Sequence, residues 1–264
     1  MSVSSEQRKR IMLELLKSEG QVKVSDISRR CSVSEETVRR DLLLLEREGD
    51  AKRVYGGAVS ARPANYEPPY LHRQQVKAEE KARIGRKAAE LISSGDTIVI
   101  DVGTTALELA KAIAGKERIT LLTNSIAVAY HLMESLNEGR FSGQIIVIGG
   151  RLNPEQQSLT GAPGEREMAQ YRVDKAFISI GGISLKRGIS DYDLDETMLS
   201  RRMIEAAGQT IVLADDSKFG KEAFVEIAPL RRIDAIVSNA APPREWLPAL
   251  KRHRIQWHEA KGED

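Results

Sequence analysis

The 264 residues are 41% hydrophobic and 30% charged, with 9 Pro and 20 Gly, a composition that fits one large or two ordinary globular domains and excludes collagen-like, low-complexity and disordered chains. No apolar stretch approaches the roughly 20 residues that span a bilayer, and the first residues lack the apolar core of a signal peptide, so a cytoplasmic address with no membrane partner is expected. One cysteine, Cys31, cannot form an intramolecular disulfide, and four scattered histidines show no ligand spacing, so the sequence calls for neither metal nor cofactor. The net charge of +2 divides unevenly: residues 1 to 62 carry 13 Lys+Arg against 10 Asp+Glu (+3), leaving 27 against 28 (−1) for the rest. That excess is too small to show nucleic-acid binding, which rests on where the basic residues fall.

Ser4 or Ser5 caps a first helix with Ile11, Met12, Leu15 and Leu16 on one stripe, closed by Gly20. After the alternating Gln21 to Val24, Ser25 is expected to cap a second helix over Asp26 to Cys31. Ser34 caps a third, with Glu35 and Glu36 in its first turn and Val33 and Val38 as a hydrophobic staple. Val38, Leu42 and Leu45 fall inward at helical spacing, which leaves Thr37, Arg39, Arg40, Leu43 and Arg47 on the other faces. Two helices about a tight turn have the layout of a helix-turn-helix, and Ala51 to Val59 reads as two strands about a glycine turn, a basic wing. A small helical domain with solvated charges is the plainer alternative. Cys31 is expected to pack as a small apolar residue.

The run Val33-Ser34-x-x-Thr37-Val38-Arg39-Arg40-Asp41-Leu42, then Leu45-Glu46-x-x-Gly49, Arg53 and Tyr55-Gly56-Gly57-Ala58 resembles the winged helix-turn-helix signature of the deoxyribose-operon repressor (DeoR) family of bacterial regulators. The resemblance implies binding to double-stranded operator DNA through Ser34, Glu36, Thr37, Arg39, Arg40, Lys52, Arg53 and Tyr55. Asp50-Ala51 and Tyr55 depart from the family's more usual apolar residue and histidine. One such module covers a short half-site, so a homo-oligomer is expected, and the family suggests a dimer or tetramer.

Residues 61 to 74, with three of the nine prolines among them, read as a linker between domains at 1–60 and 75–264. A long helix is expected from about Gln75 to Leu91. Beyond it, apolar runs at 97–100, 119–122, 145–148, 176–180, 210–213 and 235–237 alternate with helical stretches, which predicts an α/β domain with a mostly parallel sheet and a ligand at the strand C-terminal ends. Those ends are polar and glycine-rich: Asp101 to Thr105, Thr123-Asn124-Ser125, Gly149-Gly150, Gly181-Gly182 and Asp215 to Lys218. Gly103-Thr104-Thr105 opening a helix suits a phosphate, and Lys218 adds a point charge. Neither a P-loop nor a dinucleotide fingerprint is present.

The same resemblance continues through Glu79-Glu80-Lys81, Asp101-x-Gly103-Thr104-Thr105, Thr123-Asn124-Ser125, Gly150, Gly161, Gly181 and Asp215-x-Ser217-Lys218-Phe219-Gly220. It implies an effector domain similar in fold to ribose-5-phosphate isomerase that senses a phosphorylated sugar or polyol. The segment Gly188 to Glu196 resembles the branch that includes the glycerol-3-phosphate repressor. The expected effector contacts are Asp101, Gly103, Thr104, Thr105, Asn124, Ser125, Gly150, Gly181, Asp191, Asp193, Glu196 and Lys218, the acids accepting from hydroxyls. For the Asp191 to Glu196 segment, an acidic loop that merely caps a helix near Asp195 is the alternative. For the chain as a whole, the alternative to a regulator is a sugar-phosphate isomerase-like enzyme with an added N-terminal domain, since these carboxylates include possible bases.

Overall fold

The computed structural model describes residues 4–19, 21–61 and 67–262. They divide into two compact units, Met1–Tyr66 and Glu67–Asp264.

The first unit contains α1 (Ser5–Glu19), β1 (Gln21–Lys23), α2 (Val24–Cys31), α3 (Glu35–Arg47), β2 (Ala51–Val54) and β3 (Gly57–Ser60). Its core joins Met12 and Leu16 to Val22, Val24, Ile27, Cys31, Val38, Leu42 and Leu45, so Cys31 is a packed apolar residue. The buried pair Arg8 Nε to Asp41 Oδ2, 2.7 Å, fixes α1 against α3, and the Ser5 hydroxyl donates to the other Asp41 oxygen at 3.0 Å. Ser4 caps α1 by accepting the Gln7 N–H, and Ser34 caps α3 by accepting that of Thr37. Ser25 is not a cap: α2 starts at Val24, whose N–H is already satisfied by the Gly56 carbonyl at 2.9 Å. The expected cap Gly20 lies outside the described residues. The wing has three strands rather than two, in the antiparallel order β1-β3-β2, because Gln21–Lys23 pairs with the edge of β3 that β2 leaves free. That contact needs glycine: a Cβ at Gly57 would lie 2.0 Å from the Val22 carbonyl oxygen.

The second unit runs α4 (Tyr70–Gln75), α5 (Ala78–Ala89), β4 (Thr97–Ile100), α6 (Thr104–Ala112), β5 (Ile119–Thr123), α7 (Ile126–Asn137), β6 (Gly143–Val147), β7 (Arg151–Asn153), β8 (Ser158–Thr160), α8 (Ala162–Met168), β9 (Val173–Ser179), β10 (Gly182–Ser184), β11 (Gly188–Asp191), α9 (Leu194–Ala206), β12 (Ala207–Leu213), β13 (Val225–Ala228), β14 (Ala235–Ser238), α10 (Leu247–His253) and β15 (Gln256–Glu259). Seven strands form one wholly parallel sheet, order β15-β14-β12-β9-β4-β5-β6. Alternation along each strand sends Ile98, Ile100, Phe177 and Ile211 to one apolar layer and Val99, Ile178 and Val212 to the other, the double burial that a parallel sheet requires. Two small antiparallel sheets, β7-β8 and β10-β11-β13, were not foreseen from the sequence and stand beside the strand ends.

The expected helix from Gln75 to Leu91 is two helices. Val76 is extended and Lys77 left-handed (φ 53°), a break stabilised by the Lys77 Nζ to Asp216 pair at 2.5 Å. Of the expected linker 61–74, residues 62–66 lie outside the described residues, whereas 67–74 belongs to the second unit, with Tyr70 fully buried in it.

Helix α5 meets α6 at Gly85, where an added Cβ would stand 2.4 to 2.6 Å from the Glu108 and Leu109 backbone. Backbone cannot retreat as a side chain can, so Gly85→Ala should destabilise the second unit by about 1–3 kcal/mol. Urea denaturation followed by hydrogen exchange checks this; an unchanged midpoint for the second unit would show that the α5 to α6 contact is slack.

Candidate functional site

On the first unit, the face of α3 opposite its buried residues Val38, Asp41, Leu42 and Leu45 presents Glu36, Arg40 and Arg47. Thr37 and Arg39 flank it. Ser34 is engaged as the cap and bonds the Thr37 hydroxyl at 2.9 Å, and Arg39 pairs with Glu35 one turn back at 2.7 Å. In the wing, Arg53 is tied to Glu46 of α3 through both its backbone N–H and its guanidinium, each at 2.8 Å. Those two bonds hold the Glu46 carboxyl below the usual range and make Arg53 the strut of the wing rather than a free cation. Lys52 and Arg40 are exposed and, among the described residues, carry no ion pair. Tyr55 stands fully exposed at the wing's turn.

On the second unit, the chain passes from β4 to β5 and β6 in one direction, then returns to β9, β12, β14 and β15 in the other. Adjacent parallel strands β4 and β9 therefore diverge in connection at their C-terminal ends, where open α/β sheets form a crevice. Asp101 and Gly103 follow β4, and Ser179 and Gly181 end β9. Gly103 (φ 156°) starts α6 with no side chain of its own, and a Cβ there would lie 2.2 Å from Ser179 Oγ. Thr104 and Thr105 follow in the first turn, both buried.

Hydrogen bonds join several expected residues across different elements. Asp101 accepts from the Val102 N–H and from the Ser200 hydroxyl, each at 2.8 Å; the same hydroxyl also lies 3.0 Å from the Glu196 carbonyl. Glu196, buried, accepts from the Ser158 hydroxyl at 2.5 Å, and Ser158 bridges to Ser125 at the end of β5. Asn124 donates to the Leu159 carbonyl. Asp193 caps α9 by accepting the Glu196 N–H at 2.9 Å, as the helix-cap alternative requires, and Ser125 likewise caps α7. Gly181 lets the Tyr192 ring and Asp191 approach: a Cβ would sit 2.7 Å from the ring. Gly150 meets a packing constraint as well, since its Cβ would strike the Thr160 carbonyl at 2.4 Å.

Burial raises the acids of this network: Asp101 to about 7, Asp191 to about 8 and Glu196 to about 9, the last two also by the charge of Glu67. Beside them stand cations. Lys81, buried on α5, is lowered to about 8 by desolvation and by the nearby Lys218 and Arg73, and its Nζ donates to the Arg73 carbonyl at 2.5 Å. Four buried polar atoms in and beside this region have no partner among the described residues: Asn124 Oδ1, Ser179 Oγ, Thr197 Oγ1 and Tyr70 Oη.

Sequence patterns alone left out Arg73, Ser158, Ser179, Thr197 and Ser200, gave Glu67 only as part of the linker, and gave Lys81 and Tyr192 only as parts of motifs. Lys81 was detectable, since it shares the inward helical phase of Ile84 and Ala88. Thr197 and Ser200 likewise share the phase of Met203 and Ile204. Glu67 and Arg73 carry no such mark.

Two family descriptions match the chain: the DeoR-like helix-turn-helix domain over residues 8–64 and the DeoR C-terminal sensor domain over residues 76–240. The glycerol-3-phosphate regulon repressor of Escherichia coli K12 is 32% identical over 250 residues, which is 95% of this chain and 97% of that protein. The transcriptional repressor GlcR of Bacillus subtilis is 34% identical over 251 residues, 95% of each. Ribose 5-phosphate isomerase A of Methanocaldococcus jannaschii aligns over 55% of this chain and 56% of its own at 16% identity and a TM-score of 0.39, a likeness too slight to assign chemistry.

The raised acids give a signed prediction. A carboxyl whose folded pKa exceeds its unfolded one contributes stability that is complete below the unfolded pKa and lost as pH rises through the folded pKa. For Asp101, Asp191 and Glu196 that window runs from the ordinary carboxylate range to about 7, 8 and 9. Lys81, lowered to about 8, acts oppositely only above that pH. The second unit should therefore melt lower at pH 8 than at pH 5.5, and Glu196→Gln should flatten this slope. An identical slope in the variant would contradict the protonated network.

Proposed function

Because the chain belongs to the DeoR family of transcriptional regulators and carries both its DNA-binding and its sensor domain, we propose that it represses a sugar or polyol catabolic operon and that a phosphorylated sugar or polyol in the strand-end crevice sets its hold on the operator. The observation that carries this is the charge of the crevice. With Asp191 and Glu196 holding protons at neutral pH, fewer ionised carboxylates face the cations Lys81 and Lys218, Asp193 and Asp215 being among those that remain. A dianionic phosphate is attracted to those cations, and protonated acids can donate to its oxygens or to a hydroxyl. The bare amides after Gly103 and the positive end of α6 add fixed donors. The unpartnered Asn124, Ser179 and Thr197 atoms supply further bonds for hydroxyls.

An isomerase-like role is not favoured. Relatives that match nearly the whole chain carry the names of transcriptional repressors, and of the candidate bases Asp101, Asp191, Asp193, Glu196 and Glu205, Glu196 is bonded to Ser158 and Asp193 caps α9.

On the DNA side, Arg40 reads the major groove from the outward face of α3, Arg39 and Thr37 lie beside it, Glu36 and Ser34 edge the same helix start, and Lys52 and Tyr55 meet the backbone from the wing. Arg53 acts through Glu46. A homo-oligomer supplies the second half-site.

Two measurements check the proposal. Arg40→Ala should weaken binding to a selected operator duplex by about 1–3 kcal/mol and relax specificity at one base, whereas Lys52→Ala should weaken all duplexes alike and lower the salt slope by about one unit. Equal loss on specific and random DNA for Arg40→Ala would remove it from base reading. In calorimetry, a phosphorylated polyol should bind the full chain and its unphosphorylated parent should not, with Lys218→Ala reducing the difference; equal binding of both compounds would refute the phosphate cradle.

A further inference from the structure

Glu67 and Arg73 lie beside the crevice on the segment where the chain enters the second unit, outside every motif. The Glu67 carboxylate pairs with Arg73 Nη1 at 2.6 Å, and the two side chains are only 8% and 18% exposed. Arg73 is held on every side: Nη2 donates to Gln156 Oε1 at 2.6 Å, Nε to the Pro68 carbonyl at 3.0 Å, and the guanidinium lies 5.9 Å from the Tyr70 ring centroid. Gln156 is two residues before Ser158, which bonds Glu196, so these contacts tie the segment to the crevice wall. Its second tie is the Tyr70 N–H to the Glu155 carbonyl, 2.9 Å. Glu67 is also within electrostatic reach of Asp191, Tyr192 and Glu196. A carboxylate within reach of two other acids is held there chiefly by its cation, and the Nη1 side of the Arg73 fork that Glu67 occupies suits a phosphate as well as a carboxylate.

We propose that Arg73 is an effector-binding residue and that Glu67 is a tethered competitor for it: an anion that takes the guanidinium expels Glu67 and loosens residues 67–73, which lead directly from the DNA-binding unit. This rests on the crevice being the anion site. It adds to that site a residue that no motif marks and a route by which occupancy changes the chain between the units. A ligand alters an equilibrium only by differing in affinity for its two states, and here the difference is the Glu67 to Arg73 pair, present in one and absent in the other.

The test uses the full chain with inorganic phosphate as the probe and chloride at equal ionic strength as the control. Glu67→Gln should bind phosphate roughly tenfold more tightly than the unsubstituted chain, because the competitor is neutralised. Arg73→Gln should bind it more weakly, and the double variant should bind no more tightly than Arg73→Gln alone. Hydrogen exchange gives a second readout that survives if Arg73→Gln folds poorly: phosphate should lower protection of the Tyr70 amide in the unsubstituted chain, and Glu67→Gln should lower it without phosphate. If Lys218→Ala weakens phosphate binding while Glu67→Gln leaves both affinity and Tyr70 protection unchanged, the tethered competitor is refuted and the crevice stands. If phosphate binds the unsubstituted chain no better than chloride does, with Lys218→Ala without effect, the inference falls together with the site on which it rests.

Discussion

The second unit is organised by one constraint, the divergence of the chain on either side of neighbouring parallel strands β4 and β9. The connections leave that point in opposite directions, the arrangement in which open α/β sheets place a ligand crevice at the strand ends. Gly103 is demanded there by Ser179, which would otherwise collide with any side chain at the start of α6. The acids beyond the strand ends then face an interior only partly open to water, and their raised pKa values are the electrostatic consequence of that placement. Acids elsewhere in the unit, such as Asp96 against Lys175, are satisfied by direct ion pairs instead.

The first unit solves a different problem. A domain of about sixty residues has little core to spend, and this one reinforces its apolar cluster with the buried Arg8 to Asp41 pair and with a wing hydrogen-bonded to β1. Glu46 belongs to both the helix and the wing, because its carboxylate receives two bonds from Arg53. The wing is thus tied to α3 partly through a solvent-exposed charged contact, which high salt weakens.

Much of this was legible in the sequence for physical reasons. Ser34 followed by Glu35 and Glu36 is a helix start whatever the tertiary context, and the six strands expected from apolar runs all exist, the inner ones because a doubly covered parallel strand must be apolar on both faces. The glycines of the strand ends were visible too, although Gly150 turned out to relieve a backbone contact with Thr160. The break at Val76-Lys77 was not visible, because Arg, Gln, Ala and Glu around it favour helix and the Lys77 to Asp216 pair that accompanies it joins residues 139 apart in sequence. Asp193 illustrates a residue type that suits two roles, accepting hydroxyls or capping helices: the structure shows the cap, through one carboxylate oxygen at 2.9 Å from the Glu196 N–H. Glu67 and Arg73 were invisible because proline-rich composition signals a linker irrespective of what the intervening side chains touch.

The central claim is that the strand-end crevice is where the effector binds. Hydrogen exchange on the full chain with and without a saturating phosphorylated polyol tests it most directly. The account predicts new protection at residues 101–105, 124–125, 181 and 191–196, with the exposed edge strand β6 unchanged. Protection confined to β6 or α7, with none at residues 101–105, would contradict it.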